Sequence, residues 1–192
     1  MRITAGRFRG RALEAPRGMA TRPTGARART ALFDTLAPRL EGARVADLFA
    51  GTGALGLEAL SRGAAHVDFY ESARPALDAL RRNIATLGVA DATTVVTGAL
   101  PGAIRPGAPY DLILVDPPWR QGHERAVAER LVLTGRLGPE SRLVIEADRR
   151  DPLDEAAWRG FGLVLVDRRS YGDTEMRFFA LGGHGGDNGP TD

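Results

Sequence analysis

DLFAGTGALG, Asp47 to Gly56, decides how this chain is read. It follows the apolar run ARVADLF and opens GALGLEALSRG, which Gly63 brings to a stop. An apolar run, a cluster of glycines and then a helical pattern describe a strand that turns tightly into a helix. That turn forms the ligand end of a doubly wound sheet. Gly51 and Gly53 let the backbone bend and come close to a ligand. The spacing is not GxxxxGK[ST], so the turn is not a phosphate-cradling loop.

The charges around the turn narrow the ligand. Asp47 ends the strand, and a carboxylate there repels a pyrophosphate but suits a ligand carrying a cationic amine and a sulfonium. Glu71 ends the next strand, HVDFYE, 24 residues further on. A carboxylate in that place reads ribose hydroxyls in dinucleotide folds. The pair points to S-adenosylmethionine rather than a nicotinamide dinucleotide. Asp47, Phe49, Gly51, Gly53 and Glu71 are the cofactor-binding candidates. Gly98 and Ala99, after the third strand, are expected beside the adenine, which backbone groups would hold.

Outward from this turn the pattern repeats. RPALDALRRNIATLG reads as a helix with Pro75 in its first turn and Gly88 at its end. TTVVTG, YDLILVD and SRLVIEA read as strands, with helices expected over about 124–133 and near 153–158. GLVLVDRRSY and TEMRFFAL close the body as two strands meeting at Gly172-Asp173, a hairpin-type turn. Strands alternating with helices imply a mainly parallel α/β sheet covered on both faces. The antiparallel hairpin at the end departs from an ordinary Rossmann pattern. Upstream, residues 2–14 read as a small hairpin turning through AGRFRG, 16–24 as a loop, and 26–40 as a helix that Pro38 ends early. Residues 182–192 carry no apolar anchor and are expected to be disordered.

ILVDPPW, Ile113 to Trp119, ends the fourth strand in a carboxylate, two prolines and a large ring. An exocyclic amine on a base is a poor nucleophile, because its lone pair is delocalised into the ring. Asp116 can accept one amine hydrogen and the Pro117 carbonyl the other. That pulls the nitrogen toward tetrahedral geometry and aims its lone pair. Pro117 and Pro118 fix the carbonyl directions. Trp119 offers a face on which an extruded base can stack. Asp116, Pro117, Pro118 and Trp119 are the catalytic candidates, and this chemistry asks for no metal. Tyr171, Thr174 and His123 are weighed both as pocket residues and as structural ones.

Composition closes off other chemistries. The 192 residues contain no cysteine, which excludes disulfides and thiol nucleophiles. Three dispersed histidines argue against a histidine metal site or a Ser-His-Asp triad. No apolar run reaches the roughly 20 residues of a membrane span, and no signal peptide is visible, so a cytoplasmic protein is expected. All 26 basic residues are arginine. Residues 1–39 hold nine of them against Glu14 and Asp34, a balance of +7, whereas the remainder balances at −5. A basic arm on an acidic body is expected of a nucleic-acid binder.

Taken in order, the basic hairpin, TRPTGARARTALFDTL, DLFAGTGALGLEALSRGA, ILVDPPW, LVIEA and SYGDTEMRFF closely resemble the bacterial small-subunit ribosomal RNA guanine-N2 methyltransferases (RsmD-like). The likeness spans about residues 2–181. It implies a Rossmann-like class I methyltransferase fold with seven strands, S-adenosylmethionine as donor, and one guanine of 16S rRNA as substrate, in the small subunit or its assembly intermediate. It implies a basic RNA-contacting arm over 1–24, a methyltransferase domain over 25–181 and a tail over 182–192. Arg7, Arg9, Arg11, Arg22, Arg27 and Arg29 are the RNA-binding candidates, and a monomer is expected. This family more usually has Phe or Tyr where Trp119 stands. An adenine-N6 methyltransferase acting on DNA or RNA shares the site features but ordinarily carries an inserted recognition domain. A catalytically silent binding protein on the same scaffold is the third alternative, which an intact DPPW disfavours.

Overall fold

The computed structural model describes residues 1–15, 25–119 and 121–182. The loop expected at 16–24, with Arg22 and Thr24, and the tail beyond Gly182 lie outside the described residues. Seven strands form one sheet: β1 Arg44–Leu48, β2 His66–Glu71, β3 Thr93–Thr97, β4 Tyr110–Val115, β5 Leu137–Asp148, β6 Leu163–Tyr171 and β7 Thr174–Leu181. Their spatial order is β3-β2-β1-β4-β5-β7-β6. The first five run parallel, and β7 lies antiparallel between β5 and β6. Chain order reverses between β1 and β4, which places the switch-point crevice above the carboxyl ends of those two strands.

The alternation of strand side chains builds two cores. Val45, Val67, Phe69, Leu112, Leu114 and Val144 face one side, packing with α1 Gly25–Leu36, α2 Ala54–Ser61 and α3 Arg74–Leu87. Ala46, Leu48, Tyr70, Ile113, Val115 and Ile145 face the other, under α4 His123–Leu133 and α5 Glu155–Arg159. Continuous apolar runs such as LILV are therefore strands buried on both faces. Among the described residues no helix is long and apolar enough to cross a membrane.

Three boundaries differ from the sequence expectation. α1 ends at Leu36, and Pro38 sits in a following 3₁₀ turn, Ala37–Arg39. α5 starts later than expected, because the Asp154 side chain caps it by accepting from the Ala157 N–H at 3.1 Å. β5 begins earlier, at Leu137. There the register against β4 shifts, and Ser141 Oγ accepts from Gly138 N–H and donates to the Tyr110 carbonyl.

The N-terminal arm is antiparallel, but only Arg2 and Ala12 form a bridge. Much of its backbone bonds to the body instead of across the arm. Glu58 of α2 accepts from the Thr4 and Ala5 N–H groups and from the Thr4 hydroxyl, at 2.8, 3.0 and 2.6 Å. The Phe8 N–H donates to Ser61 Oγ and the Arg7 N–H to the Ser61 carbonyl. Gly6 lies so close to α2 that an added Cβ would stand 1.8 Å from the Ser61 carbonyl oxygen. Ile3 and Leu13 join the core shared by α1, α2 and α3, so arm and body are one packed unit.

Candidate active site

The Asp47–Gly56 turn is built around two carboxylates. Gly53, with φ at 83°, stands at the N-cap of α2 and has no side chain to offer the helix. Asp47 supplies the missing acceptor from the strand end: its Oδ2 accepts from the Gly56 N–H at 2.8 Å. Glu71 Oε2 accepts from the Gly51 N–H at 2.8 Å, while its Oε1 accepts from Ser72 and Ala73 N–H at the entry to α3. Each carboxylate oxygen has two lone-pair positions, so Glu71 Oε2 can accept a second hydrogen bond beside the one from Gly51.

The glycines of this turn have different duties. A Cβ on Gly53 would stand 2.4 Å from Leu80 Cδ1, and one on Gly56 would stand 2.3 Å from Phe69 Cε1. Both are required for packing the helix against the sheet. Gly51, with φ at 56°, is the one whose Cβ position is open, with only the Phe49 carbonyl at 4.0 Å. Phe49 itself has φ at 61°, uncommon for a bulky residue and a form of strain that collects at ligand sites. Its ring meets His123 at 5.7 Å between centroids, which ties the glycine turn to the segment that follows DPPW. Neither feature is legible in the sequence, since residue type does not announce a positive φ or a long-range ring contact.

DPPW lies beside this turn. The Asp116 N–H donates to the Leu48 carbonyl at 3.3 Å, extending the β1–β4 pairing one step past the strand. Asp116 is exposed, Pro117 buried, Pro118 exposed and Trp119 half-buried. Burial holds the Asp47 carboxyl well above the ordinary carboxylate range. The Gly56 N–H pulls it down, and the charges of Asp116 and Glu71 push it further up. Three carboxylates therefore converge on the carboxyl ends of β1, β2 and β4. That set of acidic groups suits a cationic ligand better than a phosphate. Gly98, whose N–H donates to the Glu71 carbonyl at 3.0 Å, and exposed Ala99 lie next along the same rim.

The arginines fall in several places. Arg7, Arg9, Arg11 and Arg27 are exposed, Arg7 at the α2 end near Ser61 and Arg11 reaching the Thr86 carbonyl at 3.1 Å. Asn83 fixes the other end of the arm to the glycine turn, bonding Glu14 and the Thr52 carbonyl. The arm thus runs down α2, a helix of 8 residues, and its tip lies about 12 Å below the site rim. Arg29 is a correction. Only 6% exposed, it donates to the Arg2 carbonyl at 2.7 Å and lies 3.8 Å from Glu58, so no phosphate meets it. Thr174 is buried and pairs with Tyr171 across the hairpin turn. The sequence reading missed Glu58 and its role. The available clue was a lone acid inside the apolar helix GALGLEALS.

This sheet order, with an antiparallel seventh strand and an acidic glycine turn, defines a Rossmann-like methyltransferase. The family described as "Conserved hypothetical protein 95" matches residues 1–180. The chain is 39% identical over 148 residues to the ribosomal RNA small subunit methyltransferase D of Escherichia coli K12, covering 77% of this chain and 75% of that protein. It is 31% identical over 183 residues to the putative rRNA methyltransferase YlbH of Bacillus subtilis, covering 93% and 98%. Among solved structures, the putative methyltransferase yhhF of Escherichia coli superimposes with a TM-score of 0.81 at 33% identity, covering 95% of this chain and 98% of that one. The chain belongs to the RsmD family of methyltransferases.

Proposed function

We propose that this protein transfers a methyl group from S-adenosylmethionine to the exocyclic N2 amine of a guanine in 16S rRNA, acting as a cytoplasmic monomer on the small subunit or its assembly intermediate. The observation that carries this reading is the seating of Asp116 against Leu48, directly beside the glycine turn. An amine acceptor and a cation-favouring rim then share one crevice. Relatives named as small-subunit rRNA methyltransferases support the substrate class.

S-adenosylmethionine, when bound, supplies an electrophilic methyl group. The chain's part is to make a nucleophile of the amine. Asp116 accepts one amine hydrogen and the Pro117 carbonyl the other, which draws the lone pair out of conjugation. Asp116 is also placed to take the proton the nitrogen releases. Pro117 and Pro118 hold the acceptor directions, and Trp119 stacks on the extruded base. Asp47, Phe49, Gly51, Gly53, Glu71, Gly98 and Ala99 line the donor's side. Residues 1–24 form the RNA-contacting arm and 25–181 the methyltransferase domain.

The arm tip lies at the far end of α2 from the glycine turn, so Arg7, Arg9 and Arg11 grip phosphates rather than choose a base. Small subunits treated with the protein should yield N2-methylguanosine in the nucleoside digest, more than naked 16S rRNA does. N6-methyladenosine as the product would move the assignment to the adenine amine. Changing Arg7, Arg9 and Arg11 to alanine should raise KM for the subunit and lower its dependence on salt, leaving kcat unchanged. An unmoved KM and salt slope would remove the arm from RNA binding.

Donor binding should depend on pH through Asp47. A carboxyl raised by burial and by neighbouring carboxylates is proton-rich in the free protein, and a cationic ligand favours its ionised form. Affinity therefore rises with pH above the ordinary carboxylate value of about 4, and binding releases protons. Without ligand the sign is opposite: Asp47 contributes less to stability as pH rises from its unfolded pKa through its folded one. Calorimetry in buffers of different ionisation enthalpy reads the proton release, which Asp47→Asn should remove. Equal heats in all buffers for the unsubstituted protein would contradict this account.

A further inference from the structure

One acidic residue at the catalytic end has no place in the chemistry so far. Val115 of β4 is level with Ile145 of β5, so Asp116 and Glu146 each follow by one step on strands about 4.8 Å apart. Alternation puts Glu146 on the same face as Val144 and Leu114. Those three residues line a narrow recess with Leu32 of α1, Leu55 of α2 and Met176 of β7. Met176 is the register partner of Glu146. Among the described residues the other walls of the recess are apolar. A half-buried carboxylate there, one strand over from Asp116, has the chemistry of a reader.

We propose that Glu146 reads the ring edge of the target base, accepting a hydrogen bond from guanine N1–H while Asp116 and Pro117 hold the adjacent amine. The proposal rests on the guanine reading above and gives it a physical cause. In guanine, the ring nitrogen next to the amine-bearing carbon toward O6 carries a hydrogen. In adenine, the ring nitrogen N1 beside the amine-bearing carbon carries a lone pair. A carboxylate at that edge meets a donor in the first base and an acceptor in the second. The first contact is a charge-assisted hydrogen bond, and the second is a repulsion between acceptors. The DPPW element recognises an amine on either base, so the choice falls to the residue beside it.

The test keeps the amine and removes the edge donor together with O6, so the Glu146 variant serves as the control that separates the two losses. The methylated nucleotide is first mapped in small subunits. Subunits are then reconstituted with 16S rRNA carrying 2-aminopurine at that nucleotide, which retains the amine but has a lone pair at N1. The unsubstituted protein should prefer guanine by on the order of 10² or more in kcat/KM, in line with sites built around an N–H donor. Glu146→Gln, whose amide can accept or donate, should lower turnover on guanine and narrow the preference to about tenfold or less. A loss of structure alone would slow both substrates equally and leave the ratio in place, and thermal unfolding with donor binding checks the fold directly. A ratio unmoved by Glu146→Gln overturns the role of Glu146 while the guanine assignment stands. Absence of N2-methylguanosine from the unsubstituted protein overturns both.

Discussion

Asp116→Ala is expected to lower kcat by roughly 10²–10⁴-fold while the protein stays folded and binds S-adenosylmethionine with near-unchanged affinity. The reason is positional. The Asp116 backbone is held by its bond to Leu48 and by the proline that follows, so those two anchors remain when the carboxylate is removed and the amine loses its acceptor. The amine then keeps its lone pair in the ring and loses its proton acceptor. Asp116→Asn should fall between the two, because the amide oxygen still accepts one hydrogen but takes up no proton. Single-turnover methyl transfer with donor titration by calorimetry separates these effects. Near-normal turnover in the alanine variant would end the amine-holding mechanism.

Glu58→Ala should have the largest effect on stability. Glu58 is fully buried, and it receives Thr4, Ala5 and Arg62 with Arg29 close by. Burial holds the Arg29 guanidinium below its usual pKa, against the pull of Glu58, so the loss of Glu58 leaves a buried cation uncompensated. Breaking such a network from one side costs about 3–5 kcal/mol, against a total stability of about 5–15 kcal/mol for a typical domain. Denaturant unfolding should show this loss. Limited trypsin digestion should show the arginine-rich arm becoming cleavable before the body. Glu58→Gln retains the shape and one strong acceptor and should lose less. A loss below about 1 kcal/mol in the alanine variant would mean that the arm is held by Ile3 and Leu13 instead.

Most of the frame is legible in the sequence. HVDFYE spans β2 as read, Pro75 and Gly88 bracket α3, and Gly172-Asp173 turns the final hairpin. These features are local: period, caps and turn residues act within a few positions of themselves. The acidic glycine turn and DPPW were readable for the same reason. Arg29 shows the limit. Its type and its basic surroundings promise a phosphate contact, yet its place in α1 turns it inward to Glu58, and nothing within the arm or α1 encodes where α2 will lie.

The sequence by itself determined a two-faced parallel sheet, the glycine turn and the carboxylate that follows β4, because each is a short-range consequence of residue order. Only the tertiary structure decided which glycines serve packing and which faces the crevice. It also decided that the arm tip lies a helix length from the site, and that Glu146 stands level with Asp116. Those outcomes depend on strand register and helix docking, which join residues dozens of positions apart and are fixed by the packing of the whole chain.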